Sequence, residues 1–125
     1  ADEPGLNVVE PGSPDNTTTP TAFTANLRAF LFGPALDEGD RATLREWMSG
    51  NATGDPLIRA GAPEGWKVAD KSGGASGMRN DIAIVTPPGR APIVISIFTV
   101  KNAPDAPYDN ATVADAAALV LDALR

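Results

Sequence analysis

The segment Ile93-Val94-Ile95-Ser96-Ile97-Phe98 constrains the fold of this chain more than any other stretch. It lies inside a predicted strand at residues 92–99, and apolar side chains on both sides of a strand indicate cover on both faces of the sheet. Two further strand-like runs precede it, at residues 66–73 and 79–85, and only short turns separate the three. We therefore predict an antiparallel meander whose last strand needs a second layer or further strands over it.

Helical patterns lie on both sides of these strands in the chain. One helix is predicted from Thr19-Pro20 to Gly33-Pro34, and a second from Asp37 to Gly50, with Leu44, Trp47 and Met48 as its apolar core stripe. A last helix, starting at Asp109 or Thr112, is expected to pack on the sheet. This order of elements predicts an α+β fold class with a three-stranded antiparallel sheet, a C-terminal helix and two earlier helices.

The composition excludes several kinds of chemistry. The 125 residues include no cysteine and no histidine, which removes thiol catalysis, Ser-His-Asp catalysis and the usual zinc sites. The net charge is −6 and no basic run occurs, so we expect no nucleic-acid partner. No apolar run approaches the length of a membrane span, so no membrane partner is expected either. We expect neither a metal nor a cofactor, and any export signal is expected to be removed or to lie elsewhere.

The first predicted strand ends in Asp70-Lys71-Ser72-Gly73-Gly74, which combines a cation, a hydroxyl and two glycines. Glycines at the end of a strand let a ligand approach the backbone closely. Arg59, earlier in the chain, is expected to pair with an acid beneath it. For the strand end, a plain turn with a solvated lysine is the alternative interpretation.

Eight stretches of the chain together form a specific pattern: Glu3-Pro4-Gly5-Leu6-Asn7, Asp15-Asn16-Thr17-Thr18-Thr19-Pro20, Trp47-Met48, Thr53-Gly54-Asp55, Leu57-Ile58-Arg59-Ala60-Gly61, Gly65-Trp66, Asp70-Lys71-Ser72-Gly73 and Arg79-Asn80-Asp81-Ile82-Ala83. By these stretches, which follow the family's order, the chain resembles the C-terminal half of a class A serine β-lactamase over essentially its whole length. Lys-Ser/Thr-Gly is one motif of that class and of penicillin-binding proteins. The resemblance implies a β-lactamase/transpeptidase-like fold, with an Ω-loop at 1–19, a helical region and connector at 20–65, and the C-terminal part of the α/β domain at 66–125.

Two family motifs are missing from the sequence. Ser-x-x-Lys, which holds the nucleophilic serine of the family, and Ser-Asp-Asn occur at no position of this chain. The resemblance places both motifs before Glu3. We therefore expect a fragment that works with an N-terminal half of the same protein carrying the two motifs.

Glu3 and Asn7 resemble the deacylation pair of the family. A carboxylate within hydrogen-bond reach of a water molecule can take its proton, and such general-base catalysis contributes roughly 10²–10⁴-fold. The resemblance implies that Glu3 activates the water that hydrolyses the acyl-enzyme and that Asn7 helps to hold that water. Without the resemblance, both are solvated loop residues.

The remaining candidate residues lie around the predicted strand end. The resemblance implies that Lys71 supplies positive potential for the β-lactam carboxylate and that Ser72 hydrogen-bonds it. The resemblance further implies that Gly73 keeps the cleft open and that Gly74 provides one backbone N–H of the oxyanion hole. Arg79, on the neighbouring strand, suits bidentate carboxylate binding. A surface cross-strand charge is an equal alternative for Arg79, because the preceding turn is one residue shorter than is common in the family.

The expected function is therefore hydrolysis of β-lactam antibiotics through an acyl-enzyme. A penicillin-binding DD-peptidase and an inactive lactamase-like module that binds without turnover are the two alternatives. The Glu3/Asn7 loop argues against the peptidase, whereas the lack of a nucleophile in this chain agrees with the inactive module. The resemblance also implies a secreted or periplasmic bacterial protein.

Overall fold

The computed structural model of the protein describes residues 12–14, 17–75, 77–103 and 105–125. The helices are α1 (Pro20–Phe32), α2 (Glu38–Ser49), α3 (Ile58–Gly61) and α4 (Asn110–Ala123). The strands are β1 (Lys67–Ala75), β2 (Met78–Thr86) and β3 (Ile93–Val100). The predicted α+β arrangement is confirmed, and the structure adds the short α3 within the region predicted as a helical region and connector.

The helix ends follow from capping side chains. The Thr19 hydroxyl accepts a hydrogen bond from the Ala22 N–H (3.1 Å), and the Asp37 carboxylate accepts one from the Asp40 N–H (2.9 Å). Asp109 caps α4 in the same way through the Ala111 N–H (3.0 Å). Each side chain satisfies an N–H that has no partner inside its helix, so the three predicted helix starts are confirmed.

The sheet is an antiparallel meander in the order β1-β2-β3. Lys67 pairs with Thr86 at one end of β1 and Ala75 with Met78 at the other, so the two strands are in register over their whole length. The turn between them includes Gly77, whose φ of +76° is the left-handed conformation that glycine adopts without strain. β2 is central and is the most buried strand of the three.

Helices cover both faces of this sheet. On the α3/α4 face, α3 and α4 enclose a core of eight buried residues: Leu57, Ile58, Ala83, Val85, Ile95, Val113, Ala117 and Leu121. On the α1/α2 face, α1 lies over β3 and α2 over β1, and the core is Leu27, Leu31, Met48, Ile82 and Ile84. The expectation that β3 is covered on both faces is confirmed, because its residues alternate between the two cores.

One apolar prediction for the helices is wrong. Trp47, assigned to the core stripe of α2, leaves 71% of its surface exposed, whereas Met48 is buried. A helix that lies on one sheet face buries only the stripe that points at the sheet, and Trp47 lies outside that stripe.

In the described parts of the chain, no helix is both long enough and apolar enough to cross a bilayer. The division of the chain at residues 19/20 and 65/66 into three functional regions stays a prediction.

Candidate functional site

The candidate site lies where β1 and β2 approach their shared turn. Ser72 pairs with Asp81, and Gly74 pairs with Arg79. Paired residues of antiparallel strands direct their side chains to the same face, so Ser72, Arg79 and Asp81 all belong to the α3/α4 face. The structure thus brings Ser72 and Arg79 together on one side of the strand end.

Lys71 lies on the other side. It pairs with Ile82, whose side chain belongs to the α1/α2 core, and it is exposed. Its ammonium donates a hydrogen bond to the backbone carbonyl of Ser72 at 2.5 Å. This bond keeps the Lys71 ammonium close to the backbone of Ser72, although the side chains of Lys71 and Ser72 lie on opposite faces of the sheet.

The two glycines leave the end of β1 open. A Cβ added at Gly73 has no neighbour within 4 Å among the described residues. A Cβ at Gly74, by contrast, comes within 3.1 Å of the Arg79 Nη1. The absence of a side chain at Gly74 therefore lets the guanidinium lie across the strand. β1 is an edge strand of the described sheet, so alternate N–H groups point away from β2.

Arg79 is held by α4 and by the segment before it. Its Nε donates to the Asn110 Oδ1 at 2.8 Å, and the guanidinium carbon lies 4.8 Å from the centre of the Tyr108 ring. Only 9% of Arg79 is exposed, so the surface-charge alternative for it is wrong. Sequence reasoning missed Asn110 and Tyr108 as its partners, because no local pattern links positions about thirty residues apart.

A buried ion pair lies directly below the strand end. Asp70 is fully buried, and its Oδ1 accepts a hydrogen bond from the Arg59 Nη2 at 2.5 Å. Its Oδ2 accepts one from the Asn51 side-chain amide. Arg59 also bonds the exposed Asp55 carboxylate at 3.0 Å. The expectation that Arg59 pairs with an acid is confirmed, and the acid proves to be the residue just before Lys71.

Hydrogen bonds continue from this ion pair to Ser72. The Asn51 Oδ1 accepts bonds from the Thr53 N–H (3.3 Å) and the Thr53 hydroxyl (3.0 Å). The Thr53 hydroxyl is also 2.6 Å from the Ser72 hydroxyl. Ser72 is therefore connected, through two side chains of the connector before α3, to the buried Asp70 carboxylate.

Asp81 is a second fully buried carboxylate on the same face. Burial is the main reason why its pKa rises from 3.8 to about 7; the Ile58 N–H, which donates to Oδ2 at 3.1 Å, opposes that rise, and the nearby Asp70 adds to it. The Asp81 Oδ1 has no hydrogen-bond partner among the described residues. Sequence reasoning did not single out Asp81 as a titrating group, because its burial depends on the packing of α3.

Glu3 and Asn7 lie outside the described residues, so their proposed roles rest on the sequence. Within the described ranges, no three carboxylates come together in a way that could hold a metal ion. The described part of the site thus offers two cations, a hydroxyl and open backbone at one strand end. That set of groups is suited to binding a carboxylate-bearing ligand against the edge of β1.

Comparison with known proteins agrees with this architecture. The model of the β-lactamase enzyme family matches residues 3–124. A β-lactamase of Bacillus amyloliquefaciens is 54% identical over 124 residues, which are 98% of this chain and 40% of the relative. Beta-lactamase 1 of Streptomyces cacaoi is 49% identical over 128 residues, covering 98% of this chain and 39% of the relative. The chain belongs to the β-lactamase family.

Solved structures agree as well. The class A β-lactamase of Clostridium kluyveri superposes with a TM-score of 0.92 at 46% identity, covering 98% of this chain and 47% of the solved one. The β-lactamase of Streptomyces albus G gives a TM-score of 0.91 at 42% identity, covering 97% and 46%. The fold is that of the β-lactamases, as the resemblance implied. The chain spans about 40% of the length of the curated relatives that it matches.

Proposed function

We propose that the protein hydrolyses β-lactam antibiotics as a class A β-lactamase, through an acyl-enzyme. The main support is the end of β1, where Ser72 and the buried Arg79 share one face beside the open Gly73. That arrangement offers a hydroxyl and a guanidinium to the carboxylate of a β-lactam. The family membership of the chain supports the same reaction.

In this proposal the reaction has two chemical steps. A serine from a Ser-x-x-Lys segment attacks the β-lactam carbonyl and opens the ring, and the amide nitrogen takes up a proton. Gly74 donates one N–H to the oxyanion of the tetrahedral intermediate, a contact of the kind worth about 3–4 kcal/mol. Lys71 supplies positive potential near the carboxylate and the nucleophile.

The second step is deacylation. Glu3 takes a proton from a water molecule that Asn7 helps to hold, and the resulting hydroxide attacks the ester carbon. The serine leaves with a proton, and the opened acid is released. Ser-x-x-Lys and Ser-Asp-Asn come from an N-terminal half of the same protein, because neither motif occurs in this sequence.

Glu3→Gln tests this proposal in the protein that contains both halves. We expect wild-type protein to hydrolyse a chromogenic cephalosporin, and the variant to lose roughly 10²–10⁴-fold in turnover while its acyl-enzyme accumulates. Intact-mass spectrometry detects that intermediate as a mass increase of one opened antibiotic. Glu10→Gln, on the same loop, is the matched control and is expected to turn over normally.

Two results contradict the proposal. Rapid turnover by Glu3→Gln refutes the role of Glu3 as the deacylation base. A wild-type protein that carries both halves and binds the cephalosporin without hydrolysing it supports the inactive binding module instead.

We also propose a secreted or periplasmic location, since the resemblance implies a bacterial protein that meets antibiotics outside the cytoplasm. Cell fractionation with an activity assay checks this.

A further inference from the structure

Five residues form a continuous hydrogen-bonded chain from the buried ion pair to the candidate site: Arg59, Asp70, Asn51, Thr53 and Ser72. We call this chain the Asp70–Ser72 relay. Its inner end is the fully buried Asp70, and its outer end is the hydroxyl of Ser72, a residue that is 9% exposed. The direction in which each hydroxyl donates its proton decides what Ser72 can offer a ligand.

The orientation of the Asn51 amide is fixed from both ends. On the inner side, Asp70 accepts from Arg59 through Oδ1, and its Oδ2 faces Asn51. A carboxylate accepts hydrogen bonds, so Asn51 must present its NH₂ group there. On the outer side, the Thr53 N–H can only donate, so Asn51 must present Oδ1 to it. The two requirements agree on one orientation.

The direction of the outer bonds follows from that orientation. The Asn51 Oδ1 carries no proton, so the Thr53 hydroxyl donates its single proton to it. The Thr53 oxygen can then only accept in its 2.6 Å contact with Ser72. The Ser72 hydroxyl is consequently the donor, and its proton points at Thr53.

We propose that Thr53 is a positioning residue that sets the affinity of the site for carboxylate ligands by holding the proton of Ser72. The inference rests on the proposed β-lactamase function. In the free protein, Ser72 presents oxygen lone pairs toward an incoming carboxylate. To bind that carboxylate, Ser72 must turn its proton away from Thr53, and the Thr53 oxygen then loses its donor. The relay thus makes Ser72 a weaker donor for the ligand than an isolated serine.

Thr53→Val tests this in the protein that contains both halves, because valine keeps the shape of threonine and removes the acceptor. We expect KM for a chromogenic cephalosporin to fall by roughly 2–10-fold, as for the loss of one competing hydrogen bond, with kcat changed less than twofold. Thr53→Ser keeps the hydroxyl and is the matched control, with wild-type KM. The methyl ester of the same cephalosporin lacks the carboxylate, and its KM is expected to stay the same in Thr53→Val.

A double-mutant cycle separates the relay from a general effect on the fold. In a Ser72→Ala background, Thr53→Val has no proton to release, so its effect on KM should vanish. Thr53 is exposed, and Thr53→Ala replaces the valine variant if the latter fails to fold. An unchanged or raised KM in the folded Thr53 variant, or the same fall in the Ser72→Ala background, overturns the proposal.

Failure of the proposed function gives a different result. Wild-type protein that carries both halves and does not hydrolyse the cephalosporin contradicts the function, whatever the Thr53 variants do. Neutron diffraction then tests the relay without turnover. A deuterium on Ser72 that points at the Thr53 oxygen supports the relay, and a deuterium that points elsewhere refutes it.

Discussion

The two faces of the sheet are built differently. On the α3/α4 face, seven of the eight core residues have no exposed surface, and Asp70, Arg79 and Asp81 are buried beside them. On the α1/α2 face, every core residue keeps 1–9% of its surface exposed. On this face a hydrogen bond between uncharged groups joins α1 to β3: the Thr24 hydroxyl donates to the Ser96 hydroxyl at 2.8 Å.

The difference shows where the candidate site gets its rigidity. Burial of a charged group costs free energy unless hydrogen-bond partners offset it, and those partners need a fixed geometry to do so. The closely packed α3/α4 face supplies that geometry to Ser72 and Arg79. The α1/α2 face supports the same strands by apolar contact and by the neutral Thr24–Ser96 hydrogen bond, so the two faces should respond differently to matched changes.

The largest expected difference in the free energy of unfolding is between Arg59→Met and Arg45→Met, since these two arginines lie on opposite sides of the sheet. Arg59→Met leaves the buried Asp70 carboxylate without its cation, and we expect a loss of about 3–5 kcal/mol in the free energy of unfolding. Arg45 donates to the Leu31 carbonyl at 2.8 Å and lies 5.1 Å from the centre of the Phe32 ring, but it is exposed. Arg45→Met is therefore expected to cost no more than about 1 kcal/mol.

Urea denaturation of both variants, in the protein that contains both halves, measures this difference. Equal losses for Arg59→Met and Arg45→Met contradict the idea that buried charge distinguishes the α3/α4 face.

A smaller difference is expected for two helical glycines. A Cβ at Gly61 meets the backbone of α4, at 2.8 Å from the Ala118 nitrogen and also against the Ala114 carbonyl. Gly61→Ala must therefore separate α3 from α4, and we expect a loss of about 1–3 kcal/mol. Gly39, in α2, has only the Asp37 carboxylate near its Cβ position, at 3.4 Å.

Gly39→Ala is the control, and it should stabilise the protein by up to about 1 kcal/mol through helix propensity. Thermal unfolding followed by circular dichroism gives both values. A neutral Gly61→Ala would show that α3 and α4 can separate without loss, and would remove the argument for a closely packed face.

The last expected effect, the smallest when taken over a single pH unit, is a dependence of stability on pH that comes from Asp81. Its pKa is about 7 in the folded protein against 3.8 as the ordinary value, so the folded state holds the proton more tightly. Between these values the folded state binds more protons than the unfolded state, and stability falls as pH rises. The expected slope for this one group is about 1.4 kcal/mol per pH unit between pH 5 and 6.

Asp81→Asn removes that titration and keeps an oxygen for the Ile58 N–H. We expect the variant to lose the fall in stability between pH 5 and 6, while both proteins are similarly stable at pH 4, where Asp81 is protonated in the fold. Urea midpoints measured at each pH check this. An unchanged slope in Asp81→Asn would show that Asp81 is not the group responsible.

Local patterns in the sequence were sufficient for most of the fold. Hydroxyl and carboxylate caps marked three helix starts, and the apolar run at Ile93–Phe98 predicted a strand covered on both faces. Trp47 shows the limit of such patterns. Its spacing from Leu44 is that of a core residue, but only the packing of α2 on β1 decides which part of the helix surface is buried.

The candidate site was predictable in part. The strand-end motif singled out Lys71, Ser72, Gly73 and Gly74, the family resemblance added Arg79, and their roles stay predictions. The sequence also led us to expect an acid beside Arg59. The partners were not, because Asn110 lies 31 positions from Arg79 and Thr53 lies 19 from Ser72. The packing of α4 on β2 brings Asn110 to Arg79, and the connector before α3 lies beside β1, where Thr53 reaches Ser72.

The position of Asp70 has a consequence for how the family can vary. The residue before Lys71 is fixed in the buried layer, and Asp81, on the neighbouring strand, is fixed beneath α3. The two anchors lie on opposite sides of the turn that joins the strands, Asp70 before it on β1 and Asp81 after it on β2. Residues can therefore be lost or added in that turn while Lys71 and Ser72 keep their places. A change of length in that turn would therefore alter the surface beside the strand end while Asp70 and Asp81 hold the two strands in place.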